Sequence, residues 1–166
     1  YLLKNRLNCE LLNDSQNGSS NQRILRTTLK QNLNDYFVII GWSSIYRYEY
    51  YQDGWNKVTP RDGEKFKVIK YFKEEWFIVN FLNQVLTLQN HLKYHNIPFF
   101  FFLCFAGAPV FDLVDRETFP SLFNNDLVFR DYCFGHGEEM TAGVNGHPTK
   151  ESHRLWADYL NRIIKK

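Results

Sequence analysis

The sequence predicts a three-layer α/β fold, in which helices cover both faces of a largely parallel sheet. Two segments, "YFVIIGW" at 36–42 and "IPFFFFLCFAGAPVF" at 97–111, are almost continuously apolar. Such runs are typical of strands that are buried on both faces, as in parallel sheets. Segments with helical spacing of apolar residues lie between and around them, which is the alternation of α/β domains. We therefore expect ligands to bind beyond the carboxyl ends of the strands.

The first part of the chain alternates helix and strand. Residues 1–8 suit the last turns of a helix, and "CELLN" at 9–13 suits a short strand. Ser19 or Ser20 can cap a second helix, in which apolar residues recur at helical spacing up to Asn34. The first of the two apolar strands then follows.

The rest of the chain contains a long loop, a long helix and smaller elements. Residues 43–70 are rich in Tyr, Gly and charge and hold two Asp-Gly turn signals, so we expect a covering or functional loop. Residues 72–94 predict a long helix before the Phe-rich strand. The remaining elements are a short helix at 114–123, a small element at 126–133, a Gly-rich loop at 135–146 and a terminal helix from Thr149 to Ile164. The terminal helix is predicted to dock four side chains on the sheet: Leu155, Trp156, Leu160 and Ile163.

Composition favours one globular domain spanning residues 1–166. Hydrophobic residues make up 44% and charged residues 23%, near globular averages, whereas aromatic residues reach 17%. We therefore expect some aromatic side chains to line a cleft or a surface. The formal net charge is only +2 and the basic residues are scattered among acids, so we expect no nucleic-acid partner.

Cysteine usage and hydropathy bear on the compartment. Cys9, Cys104 and Cys133 form no CxxC pair. We interpret them as buried free thiols of a reducing compartment such as the cytoplasm. The apolar run at 97–111 is shorter than the roughly 20 residues of a membrane helix and has Pro near both ends. We expect it to be a core strand and expect no membrane contact.

Three loops at predicted strand ends carry the residues of greatest chemical interest. They hold "SQNGSSNQRI", "GWSSIYRYEYY" and "GVNGHPTKESH", in that order. Together they resemble the second, third and fifth blocks of the SGNH, or GDSL-type, hydrolases. "NGSSNQRILRTTL" is similar to a second block in which Gly-x-Ser-Asn leads into a helix. "GHPTKESHRLWADYL" is similar to the fifth block, in which His-Pro precedes a second His and an apolar helix.

This resemblance implies a flavodoxin-like α/β/α fold and an activity on esters, including acetyl esters on sugars. By it, the Gly18 backbone N–H contributes to the oxyanion hole and Asn21 fixes the turn. His147 is the general base that takes a proton from a serine and returns it to the leaving alcohol. The implied ligand is a small acyl ester or an acylated glycan, and no cofactor is implied.

The chain departs from the family pattern in each block that bears on catalysis. The nucleophilic serine belongs to the first block and matches no residue here, so residues 1–166 are expected to lack the first strand and its serine. Ser43 stands near the third-block Asn, and its hydroxyl can still donate to an oxyanion. Asn145 stands where an acid is expected before His147. An amide can hold an imidazole tautomer, but in serine proteases this exchange lowers turnover by about 10⁴.

Several candidates also have simpler interpretations. Thr149 is a good N-cap with Pro148 outside the helix, and His153 on the first turns more often packs than reacts. No metal site is predicted, because neither HExxH nor a paired Cys motif accompanies the potential ligands His136, Glu138, Glu139, His147 and His153.

The segment "SIYRYEYY" also allows two interpretations. Its extended pattern sets Arg47 and Glu49 on one face and tyrosines on the other, as in a solvated loop. Alternatively, Arg47 contacts substrate or pairs with an acid, and a sugar ring stacks on an aromatic surface formed by Tyr46, Tyr48, Tyr50 and Trp55.

Three classes of function therefore remain open. The first is an ester hydrolase acting by acyl transfer, with its serine upstream of Tyr1. The second is a non-catalytic SGNH-like domain that binds carbohydrate or protein, which Asn145 and the unmatched serine favour. The third is a structural subunit that assembles through its aromatic surface. A Gly-Asp-Ser stretch upstream would discriminate the first class from the others.

Overall fold

The computed structural model describes residues 2–59, 73–104, 117–119, 129, 132 and 148–165 of the chain. These residues form a mixed α/β structure with a two-strand parallel sheet, an antiparallel hairpin and several helices. The strands are β1 (Val38–Trp42), β2 (Tyr48–Tyr51), β3 (Trp55–Val58) and β4 (Phe99–Leu103). The helices are α1 (Leu2–Leu7), α2 (Asn21–Thr28), α3 (Glu74–Tyr94) and α4 (Lys150–Ile164).

Strands β1 and β4 form the parallel sheet, in a register that sets Val38 opposite Phe99. The two apolar runs therefore pair with each other, as their composition predicts. Gly41 leaves room for the side chains that pack over this pairing, because an added Cβ atom would lie 2.7 Å from the Phe102 ring. A larger residue would have to displace that ring and the neighbouring Cys104 thiol.

One face of the sheet packs against α2 and α3. Trp42 is completely buried there and meets Phe81 and Phe101 edge-on, with ring centroids 5.8 and 5.4 Å away. Helix α3 presents fully buried Val85 and Leu88 to the same cluster. Each such side chain contributes about 1.5–3 kcal/mol by leaving water. The helix predicted at 72–94 is confirmed in its described part.

The opposite face of the sheet packs against α4. Ile39, Phe100 and Phe102 point to this side, because side chains alternate along a strand. They meet Trp156 and Leu160 of α4, and the Phe102 and Trp156 ring centroids are 5.1 Å apart. Helices therefore pack on both faces of the two-strand sheet.

Helix α1 lies beside α4. Leu3 joins the apolar cluster of that face, and Arg6 forms an ion pair with Asp158. The pair and its surroundings hold the pKa of the Asp158 carboxyl below its ordinary value, with the Arg6 hydrogen bond as the largest cause. The helix predicted for the first residues is thus confirmed and has a defined packing partner.

Helix α4 begins where the sequence predicts. Thr149 is its N-cap and accepts a hydrogen bond from the Ser152 backbone N–H at 3.2 Å. The four side chains predicted to dock on the sheet side all belong to the apolar cluster there: Leu155, Trp156, Leu160 and Ile163.

The predicted long loop at 43–70 contains a β-hairpin, so that prediction was wrong for residues 48–58. Strands β2 and β3 pair antiparallel around a turn in which Asp53 and Gly54 have positive φ. The alternating tyrosines and the Asp-Gly pair are together a hairpin signal that the loop interpretation overlooked. Residues 60–72 lie outside the described part of the chain.

Helix α2 is shorter than predicted and ends at Thr28 rather than Asn34. The Thr27 and Thr28 hydroxyls donate to carbonyls four residues earlier, which competes weakly with helical propagation. After the helix ends, the backbone forms a tighter turn in which the Lys30 N–H donates to the Thr27 carbonyl three residues earlier. Leu33 still packs into the core after the helix has ended.

The "CELLN" segment is not a strand in this structure. Leu12 is 51% exposed and Cys9 is also exposed, so Cys9 is not the buried thiol expected. A strand needs a neighbour to complete its hydrogen-bond ladder. None of the described strands pairs with this segment.

Three predicted elements lie wholly or mostly outside the described residues, namely the helix at 114–123, the small element at 126–133 and the Gly-rich loop at 135–146. The end of the apolar run, residues 105–111, lies outside them as well. Among the helices that are described, none is long and apolar enough to span a lipid bilayer.

Replacing Trp156 by Ala is expected to lower the free energy of unfolding by about 3–5 kcal/mol, because it removes a large aromatic side chain from a packed core. Tyr94→Ala, at a position 82% exposed on α3, should cost less than about 0.5 kcal/mol. Urea denaturation of both variants measures the difference. A loss below about 1 kcal/mol for Trp156→Ala would contradict the docking of α4 described above.

Candidate functional site

The candidate site begins in the loop before α2. Gly18 has φ of +72°, a left-handed conformation that glycine adopts at little cost. Ser20 caps α2 by accepting a hydrogen bond from the Arg23 backbone N–H at 3.1 Å. The turn and the start of α2 are thus built by the residues of the predicted second block. A role for the Gly18 N–H in an oxyanion hole stays a prediction.

Asn21 joins the start of α2 to the carboxyl end of β1. Its Oδ1 accepts from the Ser43 backbone N–H at 2.8 Å, and its Nδ2 donates to the Ser43 carbonyl at 3.1 Å. Both residues are buried. Because the amide makes two opposed hydrogen bonds to one residue, it fixes the position of that residue relative to α2. We call this pair of hydrogen bonds the Asn21 clamp; the role predicted for Asn21 in fixing the turn at Gly18 stays a prediction.

Arg47 contacts the side chain of Ser43. Its Nη1 donates to Ser43 Oγ at 2.8 Å. A serine hydroxyl that accepts a hydrogen bond keeps its own proton for donation. The positive charge on Arg47 polarises that hydroxyl and makes it a stronger donor. Ser43 is thus placed and polarised as a donor at the end of β1.

The structure brings three of the predicted site residues, Asn21, Ser43 and Arg47, into one chain of hydrogen bonds. Gly18 belongs to the turn directly before that chain. His147 and Asn145 lie outside the described residues. Their proximity to Gly18 and Ser43 therefore stays a prediction.

A groove of about 420 Å³ runs along one edge of β1. Consecutive residues of β1, which point to alternate faces of the sheet, all line this groove, so we infer that it follows the edge of β1 opposite β4. The exposed segment at 11–16 and helix α2 form its other walls. Ser43, Arg47 and Cys104 lie at the groove as well. We call this cavity the edge groove.

A second cavity of about 300 Å³ lies between the start of α2 and the hairpin, and we call it the basic pocket. Three basic side chains line it, those of Arg23, Arg26 and Lys57. Glu49 and Trp55 complete its hairpin side. Lys57 Nζ reaches across to the loop before α2 and donates to the Asn17 carbonyl at 3.3 Å.

Arg26 connects α2 to the hairpin by two interactions. Its Nη2 lies 3.0 and 3.1 Å from the two carboxylate oxygens of Glu49, whose side chain is only 6% exposed. Its guanidinium also stacks over the Trp55 ring, 4.1 Å from the centroid. Sequence analysis missed both Arg26 and Lys57 as site residues. The one feature that requires a cation here is the burial of the Glu49 carboxylate, which needs a positive partner. The sequence does not show that Glu49 is buried, so it did not indicate Arg26.

The predicted aromatic surface is only partly available to a ligand. Tyr46 packs edge-on against Phe77 and bonds the Glu74 carboxylate, which raises the pKa of the tyrosine to about 12. Tyr48 packs against Trp76. Tyr51 and Trp55, by contrast, are exposed at the end of the hairpin. Any stacking surface is therefore confined to the hairpin end.

Cys104 follows β4 and is partly buried at the edge groove. Burial raises the pKa of this thiol to about 12, against a smaller opposite effect of the Arg47 charge. The thiol is thus protonated and a poor nucleophile at neutral pH. Cys133 lies outside the described residues.

His153 lies on the exposed side of α4 beside Phe129, and a direct role for it stays untested. Its ring lies 5.4 Å from the Phe129 ring, centroid to centroid, and partial burial lowers the pKa of the imidazole. Within the described ranges, no three His, Cys, Asp or Glu side chains gather as metal ligands do. His136, Glu138 and Glu139 lie outside those ranges.

Comparisons of the chain with models of protein families, with curated protein sequences and with solved structures give no significant match.

Asn21→Asp is expected to destabilise the protein by about 2–3 kcal/mol at pH 7, because a buried carboxylate would face the Ser43 carbonyl. Burial and the facing carbonyl raise the pKa of the new carboxyl in the folded state. Its protonated form can donate as the amide does. The lost stability should therefore return as the pH falls through the raised pKa and decline as the pH rises through it.

Urea denaturation at neutral and mildly acidic pH measures this change. Asn90→Asp, at an exposed position of α3, is the matched control and should change stability by less than about 0.5 kcal/mol. Equal stability of Asn21→Asp and Asn90→Asp at neutral pH would contradict the clamp.

Proposed function

We propose that this chain is the larger part of an SGNH-type hydrolase domain that cleaves small acyl esters, such as an acetyl ester on a glycan. The observation that carries the proposal is the Asn21 clamp, which couples the turn at Gly18 to Ser43. Two loops that are distant in sequence thereby meet beyond the carboxyl end of a parallel strand. Such positions are where α/β folds bind their ligands.

The proposed fold is a three-layer α/β/α sandwich of the flavodoxin-like type. Helices on both faces of β1 and β4 support it. The edge groove supports it as well, because it follows the edge of β1 that β4 leaves open. We propose that the groove receives a strand from outside residues 1–166 and that this strand carries the nucleophilic serine. The exposed segment at 11–16 would then lie on the far side of the added strand.

In the proposed reaction the serine hydroxyl attacks the acyl carbonyl carbon, and His147 accepts the serine proton. The carbonyl oxygen becomes negatively charged and is stabilised by the Gly18 N–H and the Ser43 hydroxyl. Collapse of the tetrahedral intermediate breaks the bond to the alcohol, which leaves with the proton from His147. Water then attacks the acyl-serine in the same manner and releases the acid.

The Arg47 charge supports the oxyanion role of Ser43, because a donor polarised by a cation binds a developing negative charge more strongly. Asn145, in contrast, is expected to make the catalysis slow. In the proposed site it would orient His147 but could not stabilise the imidazolium ion as a carboxylate does.

A non-catalytic binding domain is the second candidate. Asn145, in place of the expected acid, and the basic pocket favour it. It predicts ligand binding without turnover, even when the serine-bearing strand is present.

Ser43→Ala tests the proposed oxyanion donor in a protein that contains this chain and the serine-bearing strand. We expect kcat on a small activated acetyl ester to fall by about 10²-fold, the effect of losing one oxyanion donor. KM should change little, because the interaction forms only in the transition state. Ser44→Ala is the matched control and should leave kcat within about twofold. Equal kcat values in the two variants would contradict the assignment of Ser43.

His147 and Asn145 are tested in the same protein by kinetics against pH. His147→Ala should abolish nearly all turnover, and the wild-type rate should fall below about pH 6–7 as the imidazole becomes protonated. Asn145→Asp should raise kcat, because a carboxylate stabilises the imidazolium form. Absence of turnover on any small acyl ester by the serine-containing protein would replace the hydrolase with the binding domain.

A further inference from the structure

Two residues that line the basic pocket carry buried polar atoms without hydrogen-bond partners among the described residues. Ser19 Oγ and Arg26 Nε are buried atoms with no hydrogen-bond partner among the described residues. Buried polar atoms are nearly always paired in proteins, so two such atoms in one cavity call for an explanation. Both residues line the basic pocket. A ligand that supplies acceptor oxygens would satisfy them.

The charge of the basic pocket is also incompletely balanced. Arg23 pairs with Asp14 at 3.2 Å, and Arg26 pairs with Glu49. Lys57 has only the Asn17 carbonyl, and no acidic side chain pairs with it within the described part of the chain. One positive charge therefore remains beside the unpaired donors. An anion with several oxygens matches both the charge and the donors.

We propose that the basic pocket binds an oxyanion group carried by a sugar, such as a carboxylate or a sulfate ester. Lys57 supplies the charge, and Ser19 Oγ and Arg26 Nε supply directed hydrogen bonds. Trp55 and Tyr51 give an exposed apolar rim next to the pocket, against which the C–H groups of a sugar ring can pack. Anion binding in this pocket does not depend on the proposed hydrolase activity.

The position of the pocket links it to the proposed ester site. Gln16, Ser19 and Arg23 line both the basic pocket and the edge groove. A sugar that holds its anionic group in the pocket can therefore extend toward Ser43 at the groove. This second step rests on the proposed function and names its substrate as an acylated acidic glycan.

Direct binding is measured by titrating the chain with glucuronate, with glucose as the neutral comparison and inorganic sulfate as the sugar-free anion, using amide NMR shifts. We expect glucuronate to bind in the millimolar range and to move the signals of Ser19 and Trp55. Glucose should bind at least tenfold more weakly. Saturable binding by sulfate but not glucuronate would overturn the sugar ligand, and absence of both would overturn the pocket.

Two variants identify the groups responsible. Lys57→Met keeps most of the aliphatic stem and removes the charge, and Ser19→Ala removes one donor. Each should weaken glucuronate binding by about tenfold, the effect of one charge-assisted hydrogen bond. Lys93→Met, at an exposed position of α3, is the matched control and should leave binding unchanged. Unchanged binding in both pocket variants, with their fold verified by circular dichroism, would overturn the proposal.

The substrate role is separated from the ester chemistry by comparing acetylated glucuronate with acetylated glucose in the serine-containing protein. A kcat/KM at least tenfold higher for the acidic ester, lost in Lys57→Met, supports the acidic-glycan substrate. Equal hydrolysis of both esters would overturn that substrate and leave the hydrolase intact. Glucuronate binding without hydrolysis of either ester would overturn the proposed hydrolase and its substrate while leaving the pocket intact.

Discussion

The packing of the Phe102 ring over Gly41, on one face of the β1 and β4 pair, is the constraint on which the described structure depends. With no side chain at this position, the Phe102 ring can lie against the β1 backbone, and the two strands keep a continuous parallel register. This register sends alternate residues to opposite sides, so Trp42 packs toward α3 and Phe102 toward α4. The ends of both strands are thereby fixed, and Ser43 and Cys104 follow directly from them. A side chain at position 41 would displace the Phe102 ring and the Cys104 thiol, and would thereby disturb the apolar cluster on the α4 side.

Much of the element order was predictable because it depends on local patterns. Continuous apolar runs identified β1 and β4, and helical spacing identified α3 and α4. Capping chemistry located the start of α4 correctly, since Thr149 offers a hydroxyl where the first turn needs an acceptor. The end of α2 was less predictable, because it depends on competing threonine hydrogen bonds. The apolar residues of "CELLN" suggested a strand, but a strand forms only when another strand completes its ladder.

The candidate site was predictable in part for similar reasons. Asn21 and Ser43 were found through a resemblance in motif order, and the structure brings them into contact across 22 positions of sequence. The interaction of Arg26 with Glu49 and Trp55 carries no such signal. It arises because the hairpin folds back on α2, and pairings at that sequence distance are not visible in either segment alone. The Asp-Gly pair indicated the turn, but nothing in the hairpin sequence indicated that the hairpin would pack against α2.

The clamp at Asn21 also makes one backbone amide a reporter of motion. The Ser43 N–H donates to a side chain of another segment rather than to the sheet ladder. It can exchange with solvent only when the start of α2 separates from the end of β1, whereas amides within the β1 and β4 ladder require the sheet itself to open. Hydrogen exchange at this single amide therefore gives the free energy needed to separate the start of α2 from the end of β1. A ligand that bridges them would slow exchange at Ser43 without altering the sheet, so occupancy of the site becomes measurable in the absence of any chemical turnover.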